Sequence, residues 1–125
     1  MSSAAGLLPY TIKEASVSGV ALRENRRSLG ISREVFAPIG GISVRSLASY
    51  ESDKEVPKIA RRAVTEGLRL AKALMELVDE PKNLKTWLEA ENPAFDGRTP
   101  MQVIKDGETD LIWEMIHQLR RGSFA

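Results

Sequence analysis

The stretch LGISREVFAPIGGISVRSLASYESDK, residues 29–54, determines how the first half of the chain is divided into short helices. Gly30 is the residue type that ends a helix in the left-handed conformation, and Ser32 is a typical N-cap. The pair Gly40-Gly41 interrupts the next helical segment, and Ser43 is a second N-cap. The helices are therefore expected at residues 18–29, 33–39 and 44–52.

A helix, a short helix, a glycine turn and a polar helix in this order are the layout of a helix-turn-helix. In that geometry the last of these helices lies in the major groove of DNA, and its outward residues near the N-terminus reach base edges. The residues expected there are Ser43, Val44, Arg45, Ser46 and Ser49. Arg45 is the best candidate for base contact, because a guanidinium pairs bidentately with guanine. Arg33 and Lys54 suit phosphate contacts.

The composition of the chain limits the functions that it can have. The net charge is +1, so no strong overall field draws the chain to a membrane or to nucleic acid. The chain has no cysteine, which excludes disulfides and thiolate sites and fits a reducing cytoplasm. His117 is the single histidine, and no nucleophile–base pair or glycine-rich phosphate loop occurs. We expect no enzymatic activity, no metal and no cofactor.

The rest of the chain also reads as helix, so an all-α fold is expected. A long helix is expected over residues 58–78, with Ile59 and Leu77 on its apolar stripe. It would join an N-terminal helix-turn-helix lobe to a small C-terminal helical lobe, or pack against a dimer partner. Three segments are expected: a flexible tail (residues 1–17), the helix-turn-helix domain with the long helix (18–79) and a C-terminal domain (80–125).

The second half contains ENPAFDGRTPMQ, residues 91–102, in which prolines and a glycine constrain the backbone. Thr99, Pro100 and Gln102 have the spacing of a capping box: the Thr99 hydroxyl and the Gln102 amide each bond the backbone N–H of the other. The helix that follows is short and stops at Gly107, and a last helix is expected over residues 109–121.

Residues 29–54 resemble the Cro/C1-type (Xre) helix-turn-helix family. The matching residues are Gly30, Ile31, Ser32, Glu34, Ala37, Gly41, Ile42, Ser43, Arg45, Leu47, Tyr50, Glu51 and Lys54. Three residues depart from the family pattern. Pro38 removes a backbone donor inside the short helix, Gly40 stands where the family usually has a buried leucine, and Asp53 replaces a glycine. The motif is also nearly neutral, so a single copy should bind DNA weakly.

Residues 87–124 resemble the toxin-binding domain of Xre/MbcA/ParS-type antitoxins. The matching elements are Trp87-Leu88, Asn92-Pro93-Ala94, Gly97-Arg98-Thr99-Pro100, Gly107 and the LRRG of residues 119–122. The resemblance implies an antitoxin that binds and silences a RES-domain toxin, an enzyme that consumes or transfers ADP-ribose from NAD. It also implies repression of its own operon, with operator DNA as second partner, and a homodimer or a larger complex with the toxin.

The residues expected to bind the toxin are Asp96, Gly97, Arg98, Thr99, Trp113, Arg120, Arg121, Gly122 and Phe124. A capped, proline-constrained loop presents its residues in one preformed shape, which lowers the ordering cost of binding. Trp113 lies off the apolar stripe of the last helix, where it is either an interface aromatic or packed against the long helix. The RRGSFA end either reaches into a pocket for a dinucleotide phosphate or is a solvated tail.

Two functions remain open from the sequence. The first is an antitoxin, and the second is a stand-alone dimeric repressor whose second half only dimerises or senses a ligand. The loop of residues 92–100 favours the antitoxin, because a simple repressor has no use for it.

Overall fold

The computed structural model describes residues 8–78 and 80–122, and this part of the chain contains eight α-helices and no strand. The helices are α1 (Ile12–Ala15), α2 (Gly19–Leu29), α3 (Arg33–Ile39), α4 (Val44–Ser52), α5 (Arg61–Met75), α6 (Pro81–Glu89), α7 (Pro100–Lys105) and α8 (Thr109–Arg120). Single 3₁₀ turns cover Lys58–Ala60 and Pro93–Phe95. The all-α prediction is confirmed.

Serine hydroxyls cap α2, α3 and α4, and the caps at Ser32 and Ser43 were predicted from the sequence. The Ser18, Ser32 and Ser43 hydroxyls accept hydrogen bonds from the backbone N–H groups of Ala21, Val35 and Ser46. Gly30 ends α2 in the left-handed conformation, at φ 75°. The expected ranges of α3 and α4 agree with the structure, and Ser18 is the cap of α2 rather than its first residue.

Residues 8–17 of the expected tail (residues 1–17) are ordered, whereas residues 1–7 lie outside the described residues. The backbone N–H of Tyr10 donates to Asn25 Oδ1 at 3.0 Å, and Asn25 Nδ2 donates to the Tyr10 carbonyl at 2.9 Å. Asn25 is fully buried, so these bonds satisfy its amide inside the protein. Thr11 and Glu14 form a capping box that starts α1. The expected tail is therefore wrong for residues 8–17, because a buried amide and a helix cap anchor them.

The long helix differs from its prediction at both ends. The 3₁₀ turn Lys58–Ala60 precedes α5, and α5 ends at Met75 rather than at Val78. A 3₁₀ turn has about 3 residues per turn instead of the 3.6 of an α-helix, so successive side chains point in different directions from those of the predicted helix. Ile59, expected on the buried stripe, is consequently 94% exposed, and Leu77 beyond the helix end is also exposed.

A close contact between two glycines sets the packing of α3 against α5. A Cβ on Gly67 would lie 2.9 Å from the Cα of Gly40 and 3.3 Å from Cζ of Phe36. A Cβ on Gly40 would lie 3.3 Å from Cδ1 of Ile42. The absence of a leucine at position 40 therefore has a steric reason, since the backbone of α5 and the Ile42 side chain occupy the space a leucine would need.

The other two departures from the helix-turn-helix pattern are also accommodated. Pro38 lies near the end of α3, where a missing backbone donor interrupts little of the helix. Asp53 follows α4 with φ −82° and ψ 155°, an extended conformation that does not require glycine.

One hydrophobic core extends through both halves of the chain. Helix α5 packs on α1, α2 and α3 from the first half and on α6 and α8 from the second. Helix α3 also contacts α7 directly. The core includes Phe36, Leu68, Leu74, Leu88 and Ile112, all at most 1% exposed. The two halves are therefore joined by packing as well as by the α5 connection.

Gly67→Ala should destabilise the protein although alanine favours helix formation. Overpacking typically costs 1–3 kcal/mol, whereas replacing a helical glycine by alanine gains about 1 kcal/mol. We expect a net loss of about 1 kcal/mol in the free energy of unfolding, measured by urea denaturation. Glu66→Ala, one residue earlier on the exposed side of α5, is the matched control and should change stability by less than about 0.5 kcal/mol. A more stable Gly67→Ala variant would contradict the close contact.

Candidate functional site

The outward face of α4 carries the residues expected to meet DNA. Ser43, Val44, Arg45 and Ser49 are exposed, and Ser46 is half-buried. The Ser43 hydroxyl accepts from the Ser46 backbone N–H at 3.0 Å and donates to the Ser46 hydroxyl at 2.9 Å. These two serines therefore form the start of the helix. Within the described part of the chain, no hydrogen bond or ion pair engages the Arg45 side chain, so it extends from an otherwise uncharged first turn.

A buried carboxylate links α4 to the two preceding helices. Glu51 on α4 has a fully buried side chain and accepts from Arg26 Nε at 2.6 Å and Nη2 at 2.9 Å. Arg33 Nε, at the start of α3, donates to Glu51 Oε1 at 2.9 Å. Arg26 Nη1 also donates to the Ile31 carbonyl at 3.0 Å. The orientation of α4 relative to α2 and α3 therefore depends on one acidic side chain.

Burial alone would raise the pKa of Glu51, because a low-dielectric surrounding disfavours its charge. Hydrogen bonds from Arg26 and Arg33, reinforced by their positive charges, outweigh burial and hold the pKa of Glu51 below its ordinary value of 4.5. Glu51 is thus ionised at neutral pH. Arg33, expected as a phosphate contact, uses its Nε for Glu51 and keeps a partly exposed side chain. Lys54 is exposed just beyond α4.

The loop before α7 is a compact turn centred on Asn92. The Asn92 carbonyl accepts from the N–H groups of Phe95 and Gly97 at 3.0 and 3.1 Å, and its side chain accepts from the Ala94 N–H at 2.9 Å. Asp96 and Gly97 both have left-handed backbones, at φ 55° and 84°, and both are exposed. Aspartate tolerates this conformation and glycine adopts it freely. The loop therefore presents positions 96 and 97 outward in a fixed shape.

The predicted capping box closes this loop. Thr99 N–H donates to Gln102 Oε1 at 2.8 Å, and Gln102 N–H donates to Thr99 Oγ1 at 3.1 Å. Thr99 is half-buried, so its hydroxyl serves the helix start rather than an exposed surface.

Arg98 connects the loop to the junction between α7 and α8. Its Nη1 donates to Glu108 Oε2 at 2.6 Å and to Asp106 Oδ2 at 3.1 Å. The hydrogen bond to Glu108, followed by that to Asp106, raises the pKa of Arg98 above its ordinary value. The guanidinium is thus held by its own chain, and the cluster carries one positive and two negative charges. Such a cluster favours a cationic rather than an anionic contact on the partner.

Trp113 and the end of α8 lie on other parts of the surface. Trp113 is half-buried and stacks on His117, with ring centroids 5.9 Å apart and an interplanar angle of 27°. Arg120 Nη2 lies 3.5 Å from Glu76 Oε2 at the end of α5. Arg121 and Gly122 are exposed. Phe124 lies outside the described residues, so its expected contact has no structural counterpart.

The residues predicted from the sequence therefore form separate surfaces. The face of α4 is one, the loop of residues 92–99 is a second, and Trp113 lines a groove of about 730 Å³ between α5, α8 and the turn after α3. The loop residues do not line this groove.

A family model for the antitoxin Xre/MbcA/ParS C-terminal toxin-binding domain matches residues 73–122. The matched segment contains the Asn92 loop, the capping box, Arg98, Trp113 and the exposed end of α8. The match supports an Xre/MbcA/ParS-type antitoxin. The match begins inside α5, so the antitoxin domain shares this helix with the first half of the chain.

Curated relatives agree with this family. The chain is 26% identical over 112 residues to the mycobacterial cidal antitoxin MbcA of Mycobacterium bovis and to that of Mycobacterium tuberculosis. The aligned part covers 89% of this chain and 94% of each relative, so the similarity includes the first half as well. No solved structure matches the chain.

Two further observations concern the described residues, 8–78 and 80–122. They contain no group of three or more histidine, cysteine, aspartate or glutamate side chains placed to hold a metal ion. They also contain no helix long and apolar enough to cross a membrane.

Several residues that shape these surfaces are not evident from the sequence. Asp106 and Glu108 hold Arg98, and Arg26 is the main partner of Glu51. The separation of Arg26 from Glu51 by 25 positions has no local pattern that would indicate a pair. A basic residue on the buried face of α2 is the one available signal, because a buried charge requires a partner.

Glu51→Gln should cost about 3 kcal/mol of unfolding free energy near pH 7, because it leaves Arg26 buried without a counter-charge. The folded-state pKa of Glu51 is lowered, so its stabilising contribution is fully present above pH 4.5 and is lost as the pH falls through the folded-state value. The gap between wild type and variant should therefore narrow below pH 4.5 in urea unfolding experiments.

Glu66→Gln is the matched control, because it removes the same charge from the exposed Arg62–Glu66 pair. Exposed pairs contribute about 0–1 kcal/mol, so this variant should be close to wild type. Equal effects of the two substitutions would contradict a special role for the buried carboxylate.

Proposed function

We propose that this antitoxin neutralises a cognate RES-domain toxin by binding it and represses its own operon by binding DNA through α4. The observation that carries the first part is the match of residues 73–122 to a toxin-binding domain. The relatives named as antitoxins cover nearly the whole chain and are consistent with it. The RES type of the toxin, which consumes or transfers ADP-ribose from NAD, rests on the sequence resemblance.

The proposed toxin contacts lie on the exposed parts of the matched domain. Asp96 and Gly97 are presented by the rigid loop, and Arg121 and Gly122 follow the end of α8. A preformed loop loses little conformational entropy on binding. Arg98 and Thr99 contribute by holding the loop, since both are engaged within the chain.

The end of α8 is proposed to act on the toxin's active site. Arg120 and Arg121 place two guanidinium groups next to the exposed Gly122, and guanidinium groups bind phosphates bidentately. A toxin that uses NAD has a site for a dinucleotide phosphate. Phe124, outside the described residues, is proposed as an additional contact of this segment.

The proposed DNA surface consists of α4 and two flanking cations. Arg45 would pair with a guanine, and Val44, which is 39% exposed, would provide an apolar contact beside it. Ser46 and Ser49 would add polar contacts, with Ser43 setting the helix start. Arg33 and Lys54 would contact phosphates. Because few cations are available, two copies or a complex with the toxin would be needed for tight binding.

Co-expression tests the antitoxin function. The product of the gene next to this one should arrest growth when expressed alone, and co-expression of this chain should restore growth. A shortened chain ending at Arg120 keeps the eight helices of the described residues but should not restore growth, if residues 121–125 enter the active site. Gel filtration of the co-expressed pair should give a stoichiometric complex.

Each outcome has a distinct meaning for the proposal. Full rescue by the shortened chain would remove the proposed role of the end segment and leave toxin binding in place. Absence of any complex and of any rescue would favour the stand-alone repressor.

Arg45→Ala should weaken binding to the DNA upstream of the operon by about 1–3 kcal/mol and relax preference at one base pair. Fluorescence anisotropy with the wild-type site and with singly substituted sites measures both effects. Lys85→Ala is the control, because it removes one exposed positive charge on α6, in the second half of the chain. A loss with Arg45→Ala that is the same for every DNA sequence would indicate a phosphate contact instead.

A further inference from the structure

The groove that Trp113 lines is also lined by a highly exposed apolar side chain from the first half of the chain. Ile59 in the 3₁₀ turn before α5 belongs to the same groove and is 94% exposed. A single exposed apolar side chain needs no explanation by itself. Here, however, it lines the same groove as a half-buried tryptophan and the buried residues Ile39, Leu70 and Ile104. Apolar groups from both halves of the chain thus converge in one concave surface.

The floor and rim of the groove have defined chemistry. Gly40, Gly41 and Gly67 form part of the floor, so the groove lies directly over the glycine contact between α3 and α5. A Cβ on Gly41 would meet no atom within 4 Å, which means that the space above it is open. The rim carries Arg62, Glu66, Arg69 and Asp110, so charges of both signs surround the apolar centre. An apolar centre with a polar rim is the usual anatomy of a protein interface.

We propose that this groove receives an apolar side chain from the surface of the toxin, so that the toxin contacts both halves of the antitoxin. This inference rests on the proposed toxin binding. It is carried by continuity: Ile104, Thr109, Asp110 and Trp113 belong to the matched toxin-binding domain, residues 73–122, and line the same groove as Ile59. A partner that fills the groove over these residues of the domain also meets Ile59.

The dimensions and composition of the groove suit such an occupant. Its volume of about 730 Å³ admits several side chains and lies within the usual range of 300–1,000 Å³ for binding clefts. Aromatic and aliphatic groups that become fully desolvated at an interface contribute most of its affinity. Ile59 is largely exposed in the free chain, so its burial by the toxin removes a full side chain from water.

Ile59→Glu tests the proposal with the full chain and the purified product of the neighbouring gene as probe. The dissociation constant, measured by titration calorimetry, should rise about 10-fold or more, because a carboxylate would be desolvated in an apolar contact. The thermal midpoint should stay close to that of wild type, since the side chain is exposed in the free protein. Ile59→Leu should retain affinity within a few-fold.

Val20→Glu is the matched control. Val20 on α2 is 58% exposed, does not line the groove, and its substitution introduces the same charge. It should leave the dissociation constant unchanged. Equal affinity of wild type and Ile59→Glu overturns the groove proposal while leaving toxin binding intact. Equal losses with Ile59→Glu and Val20→Glu also overturn it, because the effect would then come from charge alone.

Sedimentation of the free variants distinguishes a second copy of the chain as occupant. If Ile59→Glu changes self-association and leaves the affinity for the toxin unchanged, the groove joins two antitoxin copies and the proposal is wrong. If the wild-type chain does not bind the neighbouring gene product at all, the proposed function fails together with this inference.

Discussion

The contact between the backbones of Gly40 and Gly67 is the constraint on which the arrangement of both halves depends. Helices that carry side chains at their contact stay 8–10 Å apart, and glycine at both positions permits a closer approach. The end of α3 therefore packs against α5, and α3 also reaches α7 in the second half. Without this approach, the turn after α3 and Trp113 on α8 would not line the same groove.

Two clusters of ion pairs, around Glu51 and around Arg98, hold the candidate contact surfaces. They differ in how far their charges are removed from water. Glu51 is buried, so its stabilising effect depends on complete pairing with Arg26 and Arg33. The Arg98 cluster with Asp106 and Glu108 is partly exposed, where solvent weakens each pair. In both clusters an arginine that suggested partner binding is held by its own chain. Each of these arginines therefore orients the surface around it.

The family match and the shared core give one consistent view of this antitoxin. The matched domain begins within α5, the helix that packs against elements of both halves. The matched domain is therefore joined to the half that carries α4 through a shared helix and a shared core. The first half therefore does more than carry α4, because its turn after α3 and its 3₁₀ segment line the same groove as Trp113.

Local patterns in the sequence were sufficient for the helical fold, for the serine caps of α3 and α4, and for the Thr99–Gln102 capping box. These features depend on hydrogen bonds between residues three positions apart, so a short window of sequence contains the necessary information. The family motif likewise indicated the antitoxin class. The tertiary structure alone decided the exposure of Ile59, the order of residues 8–17, the partners of Glu51 and Arg98, and the groove between the two halves. Each of these depends on groups brought together from different helices, and their distances follow from packing that no local pattern specifies.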